Sequence, residues 1–208
     1  MGKVIDISGY RPKSKFVFES DAVGKILDDP RRWSRSFRMN RLLAETAFQN
    51  GLKCDEESKT HKAKEFYKKA LSFNPYQSRS LVNLGTLYFY DGRLVLASLY
   101  YEKAIELDPN YPMAHYNLAR VSESLYRFDL AYKHYKETIR LNKNYYDAYY
   151  NLAELCESRG DWIQALLYWW KASRCEGSAA DFAKIKSKIK LLGKKALKSG
   201  WAVFRKII

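Results

Sequence analysis

The chain has 208 residues, of which 37 are Lys or Arg and 23 are Asp or Glu, giving a formal net charge of +14. It contains no run of about 18 apolar residues, and its start lacks the apolar core of a signal peptide, so neither a membrane span nor secretion is predicted. Its three cysteines form no C-x-x-C pair, which argues against a disulfide framework. We expect a cytoplasmic protein, with a membrane-peripheral location as the alternative.

The positive charge is concentrated at the two ends of the chain. Residues 1–43 carry ten basic against five acidic residues, residues 44–179 carry 18 against 17, and residues 180–208 carry nine against one. A polyanionic partner is therefore expected to contact the ends rather than the nearly neutral middle.

The amino-terminal flank is predicted to have two parts. Residues 1–29 are expected to form an extended or disordered basic arm. Asp29 followed by Pro30 is typical of a helix start, and it predicts a leading helix over 30–43 that continues into the next segment. Three arginines share one face of that helix, either as its solvated side or as a patch for an acidic or phosphate-bearing partner. They are Arg31, Arg35 and Arg38.

A 34-residue repeat organises the middle of the chain. Pro75 and Pro109 stand one such period apart, and each ends a similar stretch that begins with Lys-Ala. A period of this length indicates stacked helix pairs. The predicted units are 44–77, 78–111, 112–145 and 146–179.

The second unit carries the clearest motif. It contains Leu84-Gly85, Tyr88, Ala97, Tyr101 and Pro109 at the spacing of the tetratricopeptide pattern. The third and fourth units keep part of it, with Ser122 and Cys156 where Tyr is usual. The chain thus resembles the tetratricopeptide repeat family over about two thirds of its length. This resemblance implies an all-α fold, a right-handed α-solenoid of antiparallel helix pairs with basic flanking segments.

In that family the first helix of each unit lines a concave groove that binds peptides. The positions that correspond to the groove here are Arg79, Asn83, Phe89, Tyr116, Asn117, Arg120, Tyr150, Asn151 and Glu154. Asparagine recurs among them, and an amide can both donate to and accept from a peptide backbone. We expect the three amides to face solvent and to form a ladder along an extended ligand. The alternative is that asparagine recurs only through duplication of the unit.

One subclass of the family is not favoured. Tetratricopeptide domains that clamp the carboxylates of chaperone tails need Lys, Asn and Arg at positions that hold Phe48, Leu52, Asn83, Met113 and Asn117 here. Only Asn83 matches.

The carboxy-terminal flank, residues 180–208, is predicted to be a basic amphipathic helix and tail. Ile185, Ile189 and Leu192 follow helical spacing, and lysines cover the remainder. Such a helix either caps the last apolar face of the array or lies on an anionic surface. The residues expected to contact an anionic surface are Lys184, Lys188, Lys195, Lys198 and Trp201.

No catalytic motif is present. His61, His115 and His134 are scattered along the sequence, and His115 is predicted to be a packed core residue. The sequence therefore predicts no enzyme, no metal, no cofactor and no small-molecule substrate. The favoured function is a protein-interaction module or assembly scaffold with a protein or peptide partner. The alternative is an adaptor docked by its basic termini on a membrane, a nucleic acid or a ribonucleoprotein.

Overall fold

The structure, a computed structural model, describes residues 30–175 and 179–198, and in those ranges the chain forms only helices and turns. It divides into two units, Met1–Leu42 and Leu43–Ile208. The predicted arm, 1–29, and the tail after Lys198 lie outside the described residues. The helices are α1 (Pro30–Glu56), α2 (Thr60–Phe73), α3 (Ser78–Tyr90), α4 (Leu94–Leu107), α5 (Pro112–Ser124), α6 (Phe128–Leu141), α7 (Tyr146–Ser158), α8 (Trp162–Ala172) and α9 (Ala179–Lys198).

Most of these helices form stacked pairs. Helix α3 packs on α4, α5 on α6 and α7 on α8, and each pair meets the next through α4 on α5 and α6 on α7. Helices α3, α5 and α7 begin at Ser78, Pro112 and Tyr146, which are the first residues of three predicted units. The predicted all-α array of helix pairs is confirmed.

The turn inside each unit has a left-handed residue at one repeat position. Gly92 and Gly160 have φ of +75°, whereas Ser58 and Tyr126, each at the same position one unit earlier, have φ of 57° and 58°. Glycine adopts this conformation without steric cost, while residues with a Cβ do not. The first and third units therefore close this turn at an energetic cost.

The turn between units is held by a short polar side chain. Asn74, Asp108 and Asn142 each accept a hydrogen bond from the backbone N–H two positions later, at 3.1, 3.1 and 3.0 Å. Such turns do not depend on the proline that follows in the first two cases. This explains how the third unit keeps its turn with Lys143 at the proline position.

Close approach of the paired helices requires small residues opposite large rings. A Cβ on Gly85 would lie 2.8 Å from Cε1 of Tyr101, and one on Gly51 would lie 2.5 Å from Cε1 of Tyr67. Glycine at these positions lets the tyrosine rings fill the space between helices at native packing density.

Helix α9 packs on α8 and extends the core. Ile185 and Leu192 are buried in the same cluster as Leu155 and Trp169. Within the described residues, no helix combines the length and the apolar character needed to cross a membrane.

Candidate functional site

The residues predicted to line a groove lie on α3, α5 and α7, the first helices of three successive units; we call the surface that these helices share the inner surface. Helices α3 and α5 are in contact. Helix α7 is joined to α5 by a hydrogen bond from Asn151 Nδ2 to Tyr116 Oη, 3.2 Å long. The predicted side chains therefore lie on one set of neighbouring helices.

Two of the three recurring asparagines hold adjacent units together. Asn83 Nδ2 donates to Tyr67 Oη at 3.2 Å, and Asn151 Nδ2 donates to Tyr135 Oη at 3.1 Å. In both pairs the tyrosine precedes the asparagine by the same spacing and belongs to the second helix of the preceding unit. Burial raises the pKa of Tyr67 to about 12 and also raises the pKa of Tyr135, so both hydroxyls stay protonated at neutral pH.

The third asparagine reaches its tyrosine through a threonine. Thr86 Oγ1 accepts from Asn117 Nδ2 at 3.4 Å and from Tyr101 Oη at 3.1 Å, and it donates to the Val82 carbonyl at 2.9 Å. Tyr101 holds the same position relative to Asn117 as the tyrosines of the other two pairs hold relative to their asparagines. A neutral amide bonded to a neutral hydroxyl typically contributes about 1 kcal/mol.

The expectation that all three amides face solvent is wrong. Asn117 is 8% exposed, and Asn83 and Asn151 are partly buried with their NH₂ groups bonded to the hydroxyls. Among the described residues, the Oδ1 atoms of the three amides accept no hydrogen bond. Each amide thus supports the fold through its nitrogen.

The asparagine–tyrosine pairing stops where the array ends. Trp169 stands one repeat after Tyr135, and Ile185 stands one repeat after Asn151. Both are buried in one apolar cluster, and among the described residues Trp169 Nε1 has no hydrogen-bond partner. An apolar contact therefore replaces the polar pair at the last interface.

The guanidinium of Arg120 lies over two aromatic rings at the centre of the inner surface. Its Cζ is 4.8 Å from the ring centroid of Phe89 on α3 and 5.9 Å from that of Tyr116 on α5. The Tyr116 ring in turn contacts the Tyr145 ring, with centroids 5.0 Å apart. Cation–π contact orients the guanidinium and leaves its edge for hydrogen bonds.

Arg79, by contrast, is neutralised within the fold. Its Nη2 lies 2.8 Å from Glu45 Oε2, and its Cζ stands 4.7 Å from the Phe48 ring centroid.

At α7 the inner surface is engaged by the chain's own last helix. Lys184 of α9 donates a hydrogen bond to Tyr150 Oη and lies 4.0 Å from Glu154 Oε1. One turn further, Lys188 Nζ lies 2.9 Å from Glu157 Oε2. Two of the three residues predicted for the fourth unit, Tyr150 and Glu154, therefore contact α9.

Comparison with known families identifies the repeats. Models described as tetratricopeptide repeat match residues 78–111, 100–133 and 134–166. This chain carries tetratricopeptide repeats. The matched segments cover α3 to α7 and the beginning of α8. A comparison of the sequence with curated proteins gave no match.

Solved structures agree on the tetratricopeptide fold. The crystal structure of MamA protein superposes with a TM-score of 0.64 at 24% identity, covering 79% of this chain and 88% of that one. YrrB, a TPR protein with an unusual peptide-binding site, gives 0.61 at 17% identity, covering 82% and 84%. The first TPR of Spaghetti (RPAP3), bound to an HSP90 peptide, gives 0.56 at 21% identity, covering 58% and 95%.

The residues predicted to contact an anionic surface are largely engaged by the tetratricopeptide array where they are described. Besides Lys184 and Lys188, Lys195 Nζ lies 4.6 Å from the ring centroid of Trp162 on α8. Arg38 is exposed on α1. The side chains of Arg31, Arg35 and Lys198, and Trp201 as a whole, lie outside the described parts.

A histidine pair that is not predicted from the sequence lies inside the third tetratricopeptide unit. His115, 7% exposed and in the core as predicted, has its Nδ1 3.1 Å from Nδ1 of His134 and its Nε2 3.0 Å from the Pro109 carbonyl. A carbonyl only accepts, so His115 donates from Nε2; its Nδ1 then accepts from His134 when both rings are neutral. Burial and the neighbouring His115 lower the pKa of His134 to about 4.

Proposed function

We propose that this chain is a non-catalytic interaction module that binds an extended segment of a protein partner along the inner surface of α3 and α5. The observation that carries the proposal is the platform formed by Phe89, Arg120 and Tyr116, beside amides whose oxygens accept no hydrogen bond within the described residues. Large aromatic and arginine side chains are the residue types that dominate binding at protein interfaces. Two structures of the same fold, YrrB and the Spaghetti domain, are described with a peptide-binding site or a bound peptide.

The spacing of the asparagines suits an extended ligand. Packed helices lie about 8–10 Å apart and an extended chain advances about 3.3–3.6 Å per residue, so one amide oxygen meets the ligand roughly every three residues. With their NH₂ groups used in the fold, Asn83 and Asn117 would accept hydrogen bonds from peptide N–H groups. Contacts of this kind read the backbone rather than the side chains of the ligand.

The occupied part of the surface sets the extent of the site. Tyr150 and Glu154 contact Lys184, so the bound segment lies over α3 and α5 and stops before α7. A segment of about six residues would cover that distance at the spacings above.

Selection of peptides from a displayed random library on the full chain tests this function. Enriched peptides are synthesised, and their affinity is measured for the wild type, for Phe89→Ala and for Leu99→Ala. Leu99 is the control, because it is 55% exposed on α4, a second helix of its unit. We expect at least about tenfold weaker binding for Phe89→Ala and none of that loss for Leu99→Ala. Failure to enrich any peptide, or equal loss in both variants, would refute the proposal.

Docking of the termini on an anionic surface stays a prediction. It is separated from groove binding by ionic strength, since phosphate contacts weaken steeply with salt whereas aromatic and amide contacts respond little.

A further inference from the structure

We infer that Arg120 is the anchor for an acidic side chain of the bound segment, so that this groove prefers peptides with Asp or Glu opposite α5. The inference rests on the proposed peptide-binding function and deepens it. It concerns one guanidinium whose surroundings differ from those of the other arginine predicted for the groove.

Arg120 has no carboxylate partner in the part of the chain that the structure describes. Within the described residues, no carboxylate oxygen approaches its nitrogens within 4.0 Å, whereas Arg79 has Glu45 at 2.8 Å. The side chain is nevertheless partly buried between Phe89 and Tyr116. A cation that has lost part of its hydration without gaining a counter-charge recovers free energy when a ligand supplies one.

Within the described part of the chain, the acids on α5 and α7 form no ion pair with Arg120. Glu123 lies one turn along α5 and accepts a 2.8 Å hydrogen bond from Tyr135 Oη, and among the described residues it forms no ion pair with Arg120. Asp147, at the start of α7, is close enough to help raise the pKa of Tyr116, yet it forms no ion pair with Arg120 in the described part. The guanidinium edge is therefore left for a ligand.

The stacking geometry favours a carboxylate over a bulkier anion. An arginine whose flat face rests on aromatic rings presents coplanar N–H groups, which match the two oxygens of a carboxylate. A phosphate dianion would need further cations, but the nearest charged neighbours along α5 and α7 are the acidic Glu123 and Asp147. A singly charged Asp or Glu side chain is the ligand group that fits.

The test uses matched peptide pairs. A peptide enriched on the full chain is synthesised with Glu and with Gln at each acidic position, and both forms are titrated against the wild type and Arg120→Gln. We expect one position where Glu binds at least about tenfold more tightly than Gln to the wild type, with that ratio falling to about one in the variant. Arg120→Lys should keep part of the preference, because it keeps the charge but loses the flat fork.

Arg174→Gln is the matched control. Arg174 also stacks on an aromatic ring, with Cζ 4.8 Å from the Trp170 centroid, but it lies after α8 and away from the inner surface. It should leave the Glu preference unchanged. Peptides that bind to the inner surface with no Glu preference, or a preference that survives Arg120→Gln, would overturn the inference and leave the proposed function standing. Absence of any peptide binding would overturn both.

Discussion

Helices α5 and α7 present equivalent repeat positions to the inner surface, and the residues at those positions make different contacts. Tyr150 stands one repeat after Tyr116, and Glu154 stands one repeat after Arg120. On α5 the pair forms a platform for which the described residues supply no ion-pair partner, whereas on α7 Lys184 contacts both members. The difference shows that the repeat pattern sets where a side chain lies, but the next element in the stack decides whether it is available to a ligand.

The largest expected effect is the loss of the apolar contact that holds α9 on α8. Ile185→Ala should lower the free energy of unfolding by about 2–5 kcal/mol, since the removed atoms leave a cavity against Trp169. Leu191→Ala, at 49% exposed, is the control on the same helix and should change stability by less than about 0.5 kcal/mol. Denaturant-induced unfolding measures the free energy of unfolding of both variants. Equal effects of the two changes would mean that α9 does not close the array.

Acidic pH should lower the stability of the third unit rather than that of the carboxy-terminal end of the array, where α9 packs. The pKa of His134 falls from 6.5 to about 4 on folding, so the unfolded chain binds more protons between those values. The stabilising contribution is complete above pH 6.5 and is lost as the pH falls toward 4. Because the ring is partly exposed to solvent, which screens its interactions, we expect a loss of about 2 kcal/mol.

Stability curves from pH 7 to 4 measure that contribution. His134→Gln should flatten the curve, because its amide can still donate to His115 but does not titrate. His61→Gln changes an exposed histidine and should leave the slope intact. A wild-type curve that does not fall, or a His134→Gln curve as steep as the wild type, would contradict the assignment.

The asparagines offer a comparison along the inner surface itself. Asn151 donates to two hydroxyls and Asn83 to one, so Asn151→Ala should cost about 1–3 kcal/mol and Asn83→Ala about 1 kcal/mol. Thermal unfolding of both single variants measures the difference. If neither variant lowers the melting temperature, the amides have no structural role and behave as the solvent-facing side chains that the sequence predicts.

The smallest expected effect is a gain in the third unit. Tyr126→Gly should stabilise the protein by about 0.5–1 kcal/mol, because glycine adopts the positive φ without strain. Gly160→Ala, at the same position of the next unit, should destabilise it by a similar amount. A loss of stability in Tyr126→Gly would show that the contact of its ring with Phe128, at 6.0 Å, outweighs the strain.

The sequence alone predicts the helix pairs well, because many of their determinants recur at a fixed period. Small residues opposite aromatic rings, such as Gly85 opposite Tyr101, recur along the array, and two of the units keep the turn glycine as Gly92 and Gly160. The structural role of the asparagines also leaves a sequence signal, since each one follows a tyrosine of the preceding unit at one constant spacing. The spacing from tyrosine to asparagine is not visible when only equivalent positions of successive repeats are compared.

Other features of the site depend on contacts that the repeat period of the sequence does not predict. His115 and His134 meet because α5 and α6 pack at one particular rotation, and their separation in sequence matches no known ligand spacing. The lysines of α9 are typical of an anionic-surface motif, but Lys184 and Lys188 complement acids on α7. Whether an arginine is paired depends on its neighbours in space, so Arg79 and Arg120 are indistinguishable in sequence.

Nuclear magnetic resonance of the full chain with a selected peptide tests the central claim most directly. If the inner surface is open over α3 and α5 and closed over α7, titration should shift the backbone amides around Asn83, Phe89 and Arg120. The amides around Tyr150 and Glu154 should stay in place. Shifts centred on α7 and α9, or on the outer helices α4 and α6, would contradict the account.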